Sequence, residues 1–166
     1  LKKTTDKKQR AYLINHFMDQ FKGTVYRQTM FAEFELAMGK MAESGQALTA
    51  DALCQKYHAL NKLYFGPDMV SDDQIALEWA RIPHFFYNYY VFQYATGFSA
   101  AVAIANRILK EGAPAVADYK KFLSGGCSTD PISLLKIAGV DMSSPEPVNS
   151  ALALFGELVD EMEQLV

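Results

Sequence analysis

Between His84 and Gly97 the 166-residue chain carries its densest set of groups able to hold a polar ligand. Tyr87, Tyr89, Tyr90 and Tyr94 place four phenols in eight positions, and His84 adds an imidazole one helical turn upstream. A buried phenol needs a hydrogen-bond partner, whereas phenylalanine fills the same volume without that demand. The stretch has two readings. Either it is a packed core helix whose hydroxyls are satisfied locally, or it presents phenol and imidazole donors to a polar ligand in a cavity. At about 100° per residue, Tyr87, Tyr90, Tyr94 and Gly97 would share an arc of about 80°, with His84 at its edge. Phe85, Tyr89 and Phe92 would take another face, leaving the helix aromatic nearly all round and therefore buried or cavity-lining. Gly97, continuing the stripe, would let a ligand or a second backbone come close.

Other chemistries find less support. His16, His58 and His84 are isolated, and none has the second histidine at i+4 that HExxH supplies to zinc. Glu33 and Glu35 are two apart and point in different directions on a helix. The chain has no GxSxG elbow, no Walker loop and no dinucleotide-binding glycine fingerprint, and Gly125-Gly126 is too short to cradle a phosphate. Arg27 and Glu33 fit ion pairs better than catalysis. His58 reads as an ordinary surface or packing residue, and His16 as a core residue beside Tyr12 and Phe17.

Composition bounds the partners. Sixteen basic against nineteen acidic residues give a net charge of -3, which argues against sequence-independent nucleic-acid binding. Half the residues are hydrophobic and 21% are charged, as in a folded domain. Phe85 to Leu109 is the most apolar stretch, yet Asn88, Gln93, Asn106 and Arg107 interrupt it, so no membrane span is expected. The basic N-terminal residues precede no apolar core of a secretory signal. Cys54 and Cys127, without a CxxC pairing, are expected as buried free thiols in a reducing, cytoplasmic compartment. From Asp141 onward six carboxylates and no base suggest a solvated acidic face.

The elements that must position these groups are helical. Residues 5–21 and 24–41 show helical spacing of apolar residues, loosened at Gly23. Thr49 is a good N-cap for a helix reaching Tyr64, stopped by Gly66-Pro67-Asp68. Ser71 to Gln74 has the spacing of a capping box. Pro83 is expected to open the longest helix, ending near Gly112. Pro114 to Leu123, a helix capped by Thr129-Asp130-Pro131 and closed by Gly139, and a last helix from Ser144-Pro145 to Val166 complete the set. No stretch alternates with period 2. The fold class is therefore all-α, a single irregular bundle of about seven or eight helices.

Three blocks in order carry a family resemblance. Arg81-Ile82-Pro83-His84-Phe85, leading to Tyr90-Val91-Phe92-Gln93-Tyr94-Ala95-Thr96-Gly97, resembles the C-terminal helical segment of oligoendopeptidase F. Gly23 to Glu35 (GTVYRQTMFAEFE) resembles that family's segment downstream of its metal site. Leu123-Ser124-Gly125-Gly126, then Pro131, then Ala138 to Met142, resembles its last loop and helix. The match runs from about residue 5 to 145.

The resemblance implies a zinc metalloendopeptidase of the thimet-oligopeptidase-like group, hydrolysing internal bonds of short peptides in a helical channel. The zinc-binding HExxH portion is not present, so residues 1–166 would be the C-terminal helical portion of the catalytic domain. That also suits a chain beginning at Leu1 without an initiator methionine. Its partners would be short peptide substrates and the missing N-terminal part of the same protein, with zinc bound in the full-length enzyme and none by this chain. By resemblance His84 and two tyrosines, Tyr90 and Tyr94, face the substrate across from the metal. Tyr90 and Tyr94 would donate to the oxyanion and His84 would hold the peptide, while Tyr87 and Gly97, which share the aromatic stripe, would line it. The spacing between His84 and the two tyrosines differs by one from the wider group, and a third tyrosine of that group has no clean match near Gly97. Alone, the chain would be inactive. The alternative is a stand-alone helical peptide- or protein-binding module without catalysis. A third possibility is a structural helical domain with internally satisfied tyrosines.

Overall fold

A computed structural model describes residues 3–166; Leu1 and Lys2, where the chain begins, lie outside the described residues. Seven α-helices and no strand form among the described residues: α1 (Lys7–Phe21), α2 (Arg27–Glu43), α3 (Ala50–Phe65), α4 (Phe92–Glu111), α5 (Ala113–Ser124), α6 (Pro131–Ile137) and α7 (Glu146–Leu165). None of these helices is long and apolar enough to cross a membrane. The helices fall into two compact units, one built from α1 and residues 96–166, the other from residues 22–95.

In the first unit α1 packs on α7. The wholly buried Phe21 sits edge-on to Phe98 at 4.9 Å and against Phe155 at 5.3 Å. Ala100, Ile104, Ala138 and Val140 form a second buried cluster. Arg107 ties α4 to α5 and to the end of α6. Its guanidinium donates to the Ala138 carbonyl at 2.8 Å, to Asp118 at 2.9 Å and to Glu111 at 3.0 Å. Gly139 ends α6 with φ 78°, and a Cβ there would collide with that guanidinium, so conformation and space both ask for glycine. Asp130 caps α6 by accepting from the Ser133 amide at 2.9 Å.

The second unit holds the tyrosine-rich stretch. The chain passes from α1 through a π-helical turn, Lys22–Tyr26, into α2, at the position where Gly23 loosens the pattern. Thr49 caps α3 by accepting from the Ala52 amide at 3.2 Å. The core between α2 and α3 is made of Met30, Phe31, Phe34, Leu53, Tyr57 and Leu60, with Val91 completing it. Trp79 and Phe85 pack against this cluster, Phe85 lying 5.3 Å from Phe34.

The structure corrects the sequence reading in four places. The helix expected from Pro83 does not run continuously. Pro83–Phe86 is one 3-10 turn, residues 87–91 are irregular, and α4 starts only at Phe92. Asn88 and Tyr89 adopt φ of 50° and 59°, a left-handed conformation that cannot propagate a right-handed helix. The capping box at Ser71 does not form: Asp72 accepts from the Ile75 amide at 2.9 Å and opens a 3-10 segment, Asp73–Arg81, while the Ser71 hydroxyl donates to Asn61. His16 is exposed rather than core, because Ile14 and Phe21 are the residues of α1 that turn inward. Cys54 and Cys127 are both free, but neither is buried as expected: Cys54 is half-buried and Cys127 is exposed on the turn after α5.

Candidate active site

The site is built from a buried floor, the α2–α3 core with the polar network around Glu78, and a loop anchored on that core by Phe85 and Val91. The floor is polar where it must be and satisfied there. Glu78, buried in the 3-10 segment, accepts from Tyr57 Oη at 2.6 Å, from Arg27 Nη2 at 2.6 Å and from Arg81 Nη2 at 2.5 Å. Burial by itself would raise the Glu78 carboxyl. The hydrogen bonds from Tyr57 and Arg27 and the charges of Arg27 and Arg81 outweigh it and hold that carboxyl below its ordinary range. Arg27 also lies over the Phe31 ring, 4.9 Å from its centroid. Next to this network Tyr64 donates to Glu33 at 2.9 Å.

Above the floor, His84 is the hub of four rings. It stacks on Tyr90 at 5.9 Å and 27°, and meets Tyr87 and Tyr94 edge-on, each at 5.8 Å. Tyr90 in turn lies 5.6 Å from Tyr94 and 6.0 Å from Tyr87. These are the edge-to-face and offset distances at which aromatic quadrupoles attract. Tyr94 Oη and His84 Nε2 are 3.1 Å apart. With His84 neutral and its proton on Nδ1, Tyr94 donates to Nε2; with Nε2 protonated, the ring donates to the phenol oxygen. Partial desolvation, and then the neighbouring phenols of Tyr90 and Tyr87, push the Tyr94 phenol above its ordinary range, so it keeps its proton at neutral pH.

Despite this mutual packing the cluster is open. Tyr87 is 58% exposed, Tyr90 40% and Tyr94 36%, with His84 half-buried. The expectation of one continuous helix, aromatic nearly all round and buried or cavity-lining, is therefore replaced by an exposed aromatic loop leading into a helix. Tyr87 and Tyr90 do not share a helix face with Tyr94; the break at Asn88 and Tyr89 brings their rings together around His84 instead. Gly97 lies three residues beyond Tyr94 on α4, past the boundary of this unit, with open space where a Cβ would stand.

Sequence reasoning missed two carboxylates that shape the site. Glu78 sits in a segment with no recognisable motif, and its partners come from positions 27 and 57. Glu35 lies two residues from Glu33 without metal-ligand spacing, yet it is buried and accepts from the Tyr89 backbone amide at 2.8 Å. A carboxylate on the inner face of α2, among Phe31, Phe34 and Met38, is the signal that could have found it. Among the described residues no group of three or more His, Cys, Asp and Glu side chains converges as metal ligands.

Fold and cluster together define an all-helical protein with an open surface of phenol and imidazole donors. The chain belongs to peptidase family M3, whose model matches residues 1–154. It is 57% identical over 161 residues to the oligopeptidase PepF of Bacillus subtilis, covering 97% of this chain and 24% of that protein. To the chromosomal oligoendopeptidase F of Lactococcus lactis subsp. cremoris it is 43% identical, over all of this chain and 28% of that one. The crystal structure of oligoendopeptidase-F from Enterococcus faecium superposes with a TM-score of 0.95 at 46% identity, covering 99% of this chain and 32% of that one. The chain thus spans about a quarter of the length of the curated relatives it matches, 24% and 28% for these two.

Proposed function

We propose that these residues are the C-terminal helical portion of the catalytic domain of an oligoendopeptidase F-like zinc metallopeptidase that hydrolyses internal bonds of short peptides. The observation that carries this reading is the open His84 hub. Three phenols and an imidazole are mutually packed and reachable from solvent, on a floor whose own polar groups are already paired. Water adding to a scissile carbonyl creates an oxyanion, and pre-oriented donors stabilise it without reorganising. Tyr90 and Tyr94 are the donors to that oxygen. His84 and Tyr87 hold the peptide backbone on either side, and Gly97 leaves room for the chain to pass.

The zinc of such an enzyme is held by residues outside these 166. No side-chain set among those described fits it, and no step through it is assigned to this chain. On this reading the isolated chain is inactive, and its partner is the remainder of the same polypeptide. Two free cysteines suit a reducing cytoplasm.

Tyr94→Phe in the complete polypeptide tests the reading. Loss of one oxyanion donor lowers kcat by about 100-fold in comparable sites, and that drop with an unchanged melting temperature is the expected outcome. Unchanged kcat and KM would reject the role of the hydroxyl.

A further inference from the structure

We propose that Glu35 and Gly39, both on α2, are positioning residues that set the conformation of the Tyr87–Tyr90 loop and so aim its phenols around His84. For its effect on turnover, the inference rests on the substrate-facing role given above to Tyr90 and Tyr94.

Three observations meet at Tyr89. First, Asn88 and Tyr89 are consecutive non-glycine residues with φ of 50° and 59°. Asn88 tolerates that region, but Tyr89 resists it because its Cβ crowds the following carbonyl. Such a pair persists only where its surroundings hold it. Second, the Glu35 carboxylate is buried, 7% exposed, and accepts from the Tyr89 amide at 2.8 Å. A buried carboxylate is costly to keep, and a charge-assisted bond to a backbone N–H is among the stronger uses for one. Third, Gly39 sits in the interior of α2, where alanine would be the better helix former. A Cβ at that position would run into Tyr89 Oη, and would stand 3.4 Å from Tyr89 Cζ. The glycine gives up helix propensity and leaves space for the phenol.

The ends of the loop are fixed by packing. Phe85 lies 5.7 Å from Phe31 and Val91 is wholly buried. Between those two anchors, the amide held by Glu35 and the ring seated over Gly39 determine which way Tyr87 and Tyr90 leave the backbone. Beside the seat is a mostly apolar cleft of about 400 Å³, lined by Glu35, Met38, Gly39, Trp79, Phe85 and Tyr89 among others. Tyr89 therefore has room to move if its seat is filled, and the loop with it.

The test uses the complete polypeptide with a fluorotyrosine placed at position 90, in four backgrounds: unaltered, Gly39→Ala, Gly39→Ala with Tyr89→Phe, and Glu35→Gln. Gly39→Ala should shift the fluorine resonance at position 90 and lower kcat/KM for a short peptide by about 10- to 100-fold, the range for misplaced catalytic groups. Removing the colliding hydroxyl with Tyr89→Phe should restore both. Glu35→Gln keeps an acceptor for the Tyr89 amide and should change both readouts less than Gly39→Ala. An unmoved resonance in Gly39→Ala, or a shift that Tyr89→Phe does not reverse, would overturn the inference. If the resonance moves and is rescued while turnover stays flat, loop positioning stands and the substrate-facing reading fails. In that case Tyr94→Phe should be equally silent.

Discussion

The tyrosines of the floor and the tyrosines of the loop are chemically identical and put to opposite uses. Tyr57 is wholly buried, and its hydroxyl is committed to Glu78 at 2.6 Å; burial first, and then that carboxylate, push its phenol far above the ordinary range. Tyr64 is half-buried and committed to Glu33, and the same two causes push it up to about 12. Tyr87, Tyr90 and Tyr94 pack ring to ring at an exposed surface, and the Tyr94 hydroxyl meets His84 Nε2 rather than a carboxylate. A phenol whose proton is already given to a carboxylate holds the scaffold in place. One held by ring packing at an exposed surface, with no carboxylate to take its proton, can serve a ligand. Density of tyrosine in the sequence does not separate these roles, but the partner of each hydroxyl does.

Breaking the floor should have the largest effect on stability. Glu78→Ala leaves Arg27 and Tyr57 without the acceptor they share, and losing one member of such a buried network costs about 3 kcal/mol or more. Denaturant unfolding reads this directly, and a loss below about 1 kcal/mol would show that the network is not what holds the floor. The same carboxyl gives an acid limb. Its folded pKa lies below the ordinary 4.5, so its contribution is present above that pH and is lost as pH falls through the folded value.

A smaller effect sharpens the contrast at alkaline pH. The folded pKa of Tyr64 is about 12 against an ordinary 10.0, so stability is intact below pH 10.0 and is lost as pH rises from there toward 12. Tyrosinate absorbance together with unfolding curves should show this limb, and Tyr64→Phe should flatten it. An alkaline limb unchanged in Tyr64→Phe would mean that the hydroxyl is not committed to Glu33.

Much of the scaffold could be read from local chemistry. Thr49 and Asp130 cap the helices their positions predict, and Gly139 closes α6 with a positive φ. These signals work because a cap is satisfied within a few residues of itself. The break after Phe86 is invisible in the sequence for the converse reason. A run of aromatics read at 100° per residue looks like a helix, while the amide that ends it is captured by Glu35, 54 positions away. Arg27 does form an ion pair, but its partner Glu78 is 51 positions distant, set by how α2 and α3 enclose the 3-10 segment. The residues drawn from the family resemblance, His84, Tyr90 and Tyr94, do meet, but through a loop rather than along one helix face.

The claim that the open phenols serve the reaction is tested most directly with a peptide whose scissile amide is replaced by a tetrahedral phosphinate. Its inhibition constant is measured in the complete polypeptide beside kcat and KM, for the unaltered protein, Tyr90→Phe and Tyr94→Phe. If the phenols bind the oxyanion, the inhibition constant should rise in step with KM/kcat across the three proteins, because both report transition-state binding. Stability should change by less than about 0.5 kcal/mol, as for exposed positions. An inhibition constant and kcat unaltered in both variants would contradict the account and leave the cluster as surface packing.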